Sequence, residues 1–396
     1  MKKKILITNP SIYTETDVIE NGYLIIEDNQ IKDIGKMEDS PTSEDYEVIQ
    51  LPRSSKMVPG MIDVHIHGVN GADTMDATTE ALEKMVTSLP AEGTTCFLAT
   101  TITQEKTAIE AALQNVADFI DNHQRTGQAE VVGIHLEGPF INKNKAGAQP
   151  SSHIIDPDLQ VFKDWQALSN GHIKLVTLAP EQPGGAELIT YLKNNNVIAS
   201  IGHSDATFSQ VEEAIEHGLS HVTHLYNQMS GLHHREPGVV GAAFLKDKLM
   251  VEIISDGVHA RPEAVQLAYR QKTSDKLMLI TDAMRAKCLK NGIYDLGGQE
   301  VTVTDNKAVL ADGTLAGSVL RMGQAFKNII EYTDCTVADA ILMSSSNAAK
   351  ELGLYERKGS ISIGKDADIV ILDKNNEVVM TFCQGKLAFQ KGETNK

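Results

Sequence analysis

Positive charge is scarce in this chain. Its 396 residues carry 36 lysines and arginines against 53 aspartates and glutamates, a formal net charge of −17. That imbalance excludes nucleic acid and anionic membrane as main partners. Cysteine is scarce as well. Cys96, Cys288, Cys335 and Cys383 lie far apart and no Cys-x-x-Cys occurs, which excludes a disulfide scaffold, a zinc ribbon and a thioredoxin-like redox pair. Scattered thiols suit a reducing compartment, so a cytoplasmic protein is expected. Long apolar runs are missing. None approaches the roughly 20 residues of a membrane span, and Ile5-Leu6-Ile7 stops at Asn9-Pro10, too soon for a signal-peptide core. What is present, 41% apolar and 22% charged residues, suits a globular chain with a large core.

The two ends read alike. Residues 5–7, 23–26, 30–35, 367–372 and 378–382 are β-like, with Asp28-Asn29 and Lys374-Asn375-Asn376 as turns. Neither end has enough apolar residues for its own core. Residues 1–55 plus 357–396 are therefore expected to form one small β-sandwich domain. Between them, short apolar runs recur at 61–65, 94–99, 131–136, 173–179, 197–201, 221–223, 249–254 and 277–281. Most gaps hold a helix-like segment, as at 79–89, 105–122, 186–194, 208–217 and 262–272. Eight strands alternating with helices predict an α/β (β/α)8 barrel over 56–356. After it, 300–310 reads as a hairpin around Asp305-Asn306, and 319–332 and 336–352 read as helices.

Active-site groups of such barrels come from the C-terminal ends of strands. Here the first run ends in His65-Ile66-His67, the third in Glu137, and the fifth, sixth and eighth lead to His203, His224 and Asp282. His65 and His67 are two apart, so they share one side of an extended segment. His135 is in phase with Glu137 and reads as a hydrogen-bonded packing residue pointing inward. A lone His-x-His is a weak signal, and a lone aspartate after a strand usually caps the next helix. Jointly they say more. Two imidazoles and a carboxylate supply three ligands and leave a position open for water, as a catalytic zinc-type site requires. Asp282 is then placed to move a proton.

Pro59-Gly60-Met61-Ile62-Asp63-Val64-His65-Ile66-His67-Gly68 resembles the first-strand motif of the amidohydrolase superfamily. Gly359-Ser360-Ile361 and Gly364-Lys365-Asp366-Ala367-Asp368 resemble that superfamily's return into its β domain. Further segments resemble, from end to end, the branch that deacetylates acetylated amino-sugar phosphates. These are His135-Leu136-Glu137-Gly138-Pro139-Phe140, Gly202-His203-Ser204-Asp205-Ala206, Thr223-His224-Leu225-Tyr226-Asn227-Gln228-Met229, Arg235-Glu236-Pro237-Gly238, Asp256-Gly257-Val258-His259 and Thr281-Asp282-Ala283. The resemblance implies hydrolysis of the acetamide of N-acetyl-D-glucosamine 6-phosphate to acetate and the free amine. It implies a divalent metal, zinc or iron, on Glu137, His203 and His224, a second metal position at His65 and His67, and Asp282 as proton donor and acceptor. It further implies that Asn227, Gln228 (through its backbone), Arg235 and His259 hold the sugar phosphate, that Leu315, Ala316 and Gly317 contact it, and that the molecule is a homodimer.

One departure matters. Where the branch commonly reads Gly-Ala-His, this chain has Gly147-Ala148-Gln149. Gln149 still donates and accepts hydrogen bonds but cannot become cationic, which keeps the galactosamine isomer open as substrate. His153 is a second candidate for that contact, or an exposed loop residue. A cyclic amidase of the same superfamily would carry a bridging lysine at the end of the fourth strand; here Lys174 stands at its beginning. A binding protein on an inactive barrel would have lost a ligand or the base, and all are present. Screening confines the mean field of the chain to about 8 Å, so local cations must hold a phosphate. Arg235 has the planar fork that fits one.

Overall fold

A computed structural model describes residues 4–392. Its centre is a sheet of eight parallel strands: β1 (Met61–Ile66), β2 (Thr94–Thr100), β3 (Glu130–Glu137), β4 (Ile173–Leu178), β5 (Ile198–Ile201), β6 (His221–Val222), β7 (Met250–Ile253) and β8 (Leu277–Leu279). Each pairs in parallel with its neighbours in chain order. The ring closes just past β8. There the backbone N–H of Asp282 donates to the carbonyl of His65 at 2.8 Å, and that of His67 to Ala283 at 2.9 Å. The eight runs read from the sequence are these strands.

The helices between them bury one face and are capped as sequence rules require. Thr78 accepts from Ala81 N at the start of helix Thr79–Ser88, and Thr207 with Gln210 forms a capping box before helix Phe208–His217. Helices Leu159–Leu168 and Gly238–Leu245 were not expected. The second, GVVGAAFL, is apolar all round and buries Val239, Val240, Ala242 and Ala243. It therefore has no amphipathic period to detect. The expected hairpin is a three-stranded sheet, Gly292–Leu296, Gln299–Thr304 and Lys307–Val309. Asp305 and Asn306 turn it at φ 47° and 65°, the signature of a tight primed turn.

Strands from both chain ends meet in a six-stranded sheet ordered Lys386–Gln390, Val378–Cys383, Ile369–Leu372, Lys56–Pro59, Ser11–Tyr13 and Val18–Ile19. Beside it lies a four-stranded sheet of Gln30–Lys36, Gly22–Glu27, Lys4–Thr8 and Glu47–Gln50. Ile7, Ile12, Leu24, Met57, Ile369 and Phe382 pack between them in a core of their own. Lys56–Pro59 belongs to this end sheet and runs through Gly60 into β1. Among the described residues no helix is long and apolar enough to cross a membrane.

The loop after β8 is fixed by a buried ion pair. Lys287 Nζ lies 2.7 Å from Glu92 Oε1, with side chains 0% and 3% exposed. The Lys287 carbonyl also accepts from Asn70 N at 2.8 Å. Replacing one member strands the other in the interior. Lys287→Met should therefore lower stability by about 3–5 kcal/mol, read as an earlier midpoint in chemical denaturation. An unchanged midpoint would mean that Glu92 finds another partner.

Candidate active site

Glu137 sits at the centre of the barrel mouth. Its Oε1 lies 3.2 Å from His203 Nε2, 3.2 Å from His224 Nε2 and 3.4 Å from His65 Nε2. Its Oε2 lies 3.3 Å from His67 Nε2. The Nε2 atoms of His203 and His224 are 3.1 Å apart. Asp282 Oδ1 is 3.3 Å from His67 Nε2 and 3.5 Å from His65 Nε2. Two buried groups result, Glu137 with His203 and His224, and His65 with His67 and Asp282.

The ring nitrogens are turned for this. His203 Nδ1 lies 2.8 Å from the carbonyl of Lys145 and His65 Nδ1 lies 3.1 Å from Glu252 Oε2. With a cation bound, the proton would stay on Nδ1 and each Nε2 would offer its lone pair to the mouth. In the chain by itself burial pushes His65 down, but the charges of Asp282 and Glu137 outweigh it and hold the ring well above its usual range. Glu137 Oε1 and the Nε2 atoms of His203 and His224 stand 3.1–3.2 Å from one another in a buried site, and with no proton among them they would repel unless a cation lay between them. Ligands about 2 Å from a tetrahedral ion are about 3.3 Å apart, so the first group fits such an ion. Nitrogen and oxygen donors suit zinc, iron and other divalent metals. In the chain by itself, burial pushes His67 down, but hydrogen bonds with Asp282 and Glu137 outweigh it and lift the ring to about 9.

Backbone strain gathers at these same positions. His203, His224, Tyr226, Gln228 and Asp282 have φ of 49°, 30°, 79°, 48° and 48°, a region non-glycine residues avoid. The neighbouring strands hold them in place. Asp282, for example, is pinned by its own N–H on His65 and by Ser318 N on its carbonyl at 2.7 Å. Beneath the mouth the barrel interior is polar. His135 Nε2 bonds Thr177 Oγ1 at 2.7 Å, Thr177 bonds Thr223 at 2.7 Å, and Thr223 bonds Ser200 at 2.6 Å. Burial and the adjacent His65 push His135 well below its usual range, so it is neutral.

A cavity of about 240 Å³ opens above the two groups. Of the residues singled out in the sequence, His67, Glu137, Ala148, Gln149, His203, His224, Asn227, Gln228, His259, Asp282, Leu315 and Gly317 line it. His65 lies below, wholly buried, and Ala316 is buried behind Leu315. Arg235 is not among the lining residues. Its loop is exposed, and its Nη1 turns to His234 Nε2 at 2.9 Å. His153 does not line the cavity either. Gln149 is held at both ends: Oε1 accepts from Thr103 N at 2.8 Å, and Nε2 donates to Glu137 Oε2 at 2.7 Å.

Sequence reasoning missed Glu252, Thr103 and Asp256. Glu252 left a trace, as a charge inside the apolar run Val251–Ile254. Thr103 acts through its backbone, which residue type does not reveal. Asp256 Oδ2 pairs with His259 Nδ1 at 2.7 Å, and its Oδ1 accepts from Val258 N and His259 N, each at 2.8 Å.

Fold and site together define a metal-type hydrolase barrel, and residues 57–388 match the amidohydrolase family, to which this chain belongs. The chain is 48% identical over 398 residues, covering all of both chains, to the N-acetylglucosamine-6-phosphate deacetylase of Bacillus subtilis (strain 168). It is 36% identical over 378 residues, 95% of this chain and 97% of the other, to the N-acetylgalactosamine-6-phosphate deacetylase of Escherichia coli O157:H7. A solved structure of a mutant N-acetyl-D-glucosamine-6-phosphate deacetylase from Mycobacterium smegmatis, in complex with N-acetyl-D-glucosamine-6-phosphate, superposes with a TM-score of 0.91 at 28% identity. That match covers 98% of this chain and all of the other.

Away from the two candidate ligand groups, His259 is a lining residue whose charge the structure tunes. Burial pushes it down, but the Asp256 hydrogen bond and charge outweigh this and raise it. Its charged form therefore persists below the raised value and is lost above it. Asp256→Asn leaves burial opposed only by the charge of Asp282. The ring should then lose its proton at a lower pH than in the parent, read by histidine NMR titration.

Proposed function

We propose that this protein hydrolyses the acetamide of N-acetyl-D-glucosamine 6-phosphate, giving acetate and D-glucosamine 6-phosphate. The observation that carries the reading is the convergence of Glu137, His203, His224, His65, His67 and Asp282 on the floor of one cavity. Likeness to deacetylases over the whole chain supports the same substrate class.

Glu137, His203 and His224 would hold the catalytic metal, zinc or iron, and His65 and His67 offer a second position. A bound divalent ion supplies Lewis acidity, polarising the acetamide carbonyl and bringing the pKa of water towards about 7. The remaining steps belong to this chain's side chains. Asp282 takes a proton from the attacking water as the new C–O bond forms. It returns that proton to the amide nitrogen as the C–N bond breaks, so that amine and acetate leave. His259, its proton favoured by the Asp256 carboxylate, faces the phosphorylated sugar together with Asn227 and the backbone at Gln228. Leu315 and Gly317 shape another part of the wall, with Ala316 buried between them in the chain. Arg235 joins the phosphate contacts if its exposed loop swings off His234. A homodimer in the cytoplasm accompanies this reading.

Gln149 favours a second reading. A neutral amide tied to Glu137 and to Thr103 N leaves no cation at that wall, and the E. coli relative is named for the galacto isomer. Acetate release from the two sugar phosphates, measured side by side, decides between them. The gluco isomer should have the higher kcat/KM; a preference for the galacto isomer would overturn the assignment.

Asp282→Asn should bind the sugar phosphate but lose about 10²–10⁴-fold in kcat; near-parental turnover would remove Asp282 from its role. Dialysis against a strong chelator should abolish acetate release, and zinc, iron or manganese should restore it. Full activity after exhaustive stripping would refute the metal assignment.

A further inference from the structure

Under the ligand groups lies a carboxylate that the proposed reaction does not use. Glu252 stands on β7 and is wholly buried. A buried charge needs partners to be tolerated, and its partners are informative. One oxygen, Oε2, lies 3.1 Å from His65 Nδ1 and accepts from the backbone N–H of His224 at 3.2 Å. The Glu252 carbonyl accepts from Leu225 N at 2.9 Å, one residue further along the same turn. Its other oxygen, Oε1, has no hydrogen-bond partner; the nearest ring atom, His221 Nε2, is 3.6 Å away.

A single oxygen thus touches both groups. His65 belongs with His67 and Asp282, and His224 with Glu137 and His203. The two contacts do different things. At His65 the acceptor holds the ring by Nδ1 and so aims Nε2 at the mouth, 3.4 Å from Glu137 Oε1 and 3.5 Å from Asp282 Oδ1, where it would serve as the ligand atom. At His224 the contact is to the backbone of a residue with φ of 30°, a strained conformation that persists only when its surroundings impose it.

We infer that Glu252 is a positioning residue that presets both ligand groups, orienting the His65 imidazole through Nδ1 and pinning the His224 turn through its peptide N–H. This rests on the ligand assignment made above. A carboxylate that merely filled a polar gap would contribute to stability and leave the metal affinity of the folded chain unchanged.

Zinc is the probe. Full-length protein, stripped by chelator, is titrated with zinc against a chromophoric competitor, and circular dichroism confirms that each variant is folded. Glu252→Gln keeps an oxygen acceptor at the same reach and should bind within about threefold of the parent. Glu252→Leu keeps the volume but removes the acceptor, and should bind about 10- to 100-fold more weakly. If Glu252→Leu does not fold, Glu252→Asp takes its place with the same expectation, since its carboxylate is drawn back by one methylene. Equal affinity in the parent and in the variant without the contact would overturn the positioning role, as would a loss in Glu252→Gln as large as in Glu252→Leu. A parent that takes up no zinc would remove the ligand assignment itself, and this inference with it.

Discussion

A carboxylate taken out of water must be compensated nearby, and Glu137 shows what that demands of a whole chain. Its two oxygens face His65, His67, His203 and His224, side chains that come from β1 and from the turns after β5 and β6. No local segment could assemble that set. A closed ring of parallel strands can, because every strand delivers its last residue to the same rim. The ring in turn depends on the site: its final bonds are made by Asp282 and His67 with the backbones of His65 and Ala283. Closing the sheet and bringing these side chains together are one event.

Strain at the rim follows. Left-handed His203, His224 and Asp282 are costly turns that redirect side chains over the mouth instead of into the neighbouring helix. The apolar belt of Val131, Ile134, Val176, Val222, Val251 and Leu277 is rigid enough to impose them. Between belt and rim lies the hydrogen-bonded layer of His135, Thr177, Ser200 and Thr223. It joins the apolar core to a polar floor with the hydroxyls of Thr177, Ser200 and Thr223 all paired.

Much of this was legible because period and position carry it. Apolar runs separated by helical stretches announced the barrel, and polar residues at the run ends announced the rim. The two-residue spacing placed His65 and His67 on one side. Other features had no one-dimensional trace. Lys56–Pro59 reads as the start of the barrel, yet it pairs with Ile369–Leu372, a contact that no local pattern encodes. Helix Gly238–Leu245 hid because it is apolar on every face. Arg235 has the right chemistry for phosphate but its loop turns it to His234, and loop direction follows from tertiary packing. Gln149 was found by its motif, while its tie to Glu137 depends on Thr103 N, a backbone atom.

The strand Lys56–Pro59 leads straight into β1, and one of its two hydrogen-bonded neighbours, Ile369–Leu372, comes far downstream. Roughly 300 residues separate the two. No nascent chain that stops before Ile369 contains both, so this edge of Lys56–Pro59 stays unpaired until then. The sheet that leads into the barrel is therefore completed only after all eight barrel strands have been made. A message cut before the codon for Ile369 would encode His65, His67, Glu137, His203, His224 and Asp282 and leave the strand that runs into β1 without this neighbour.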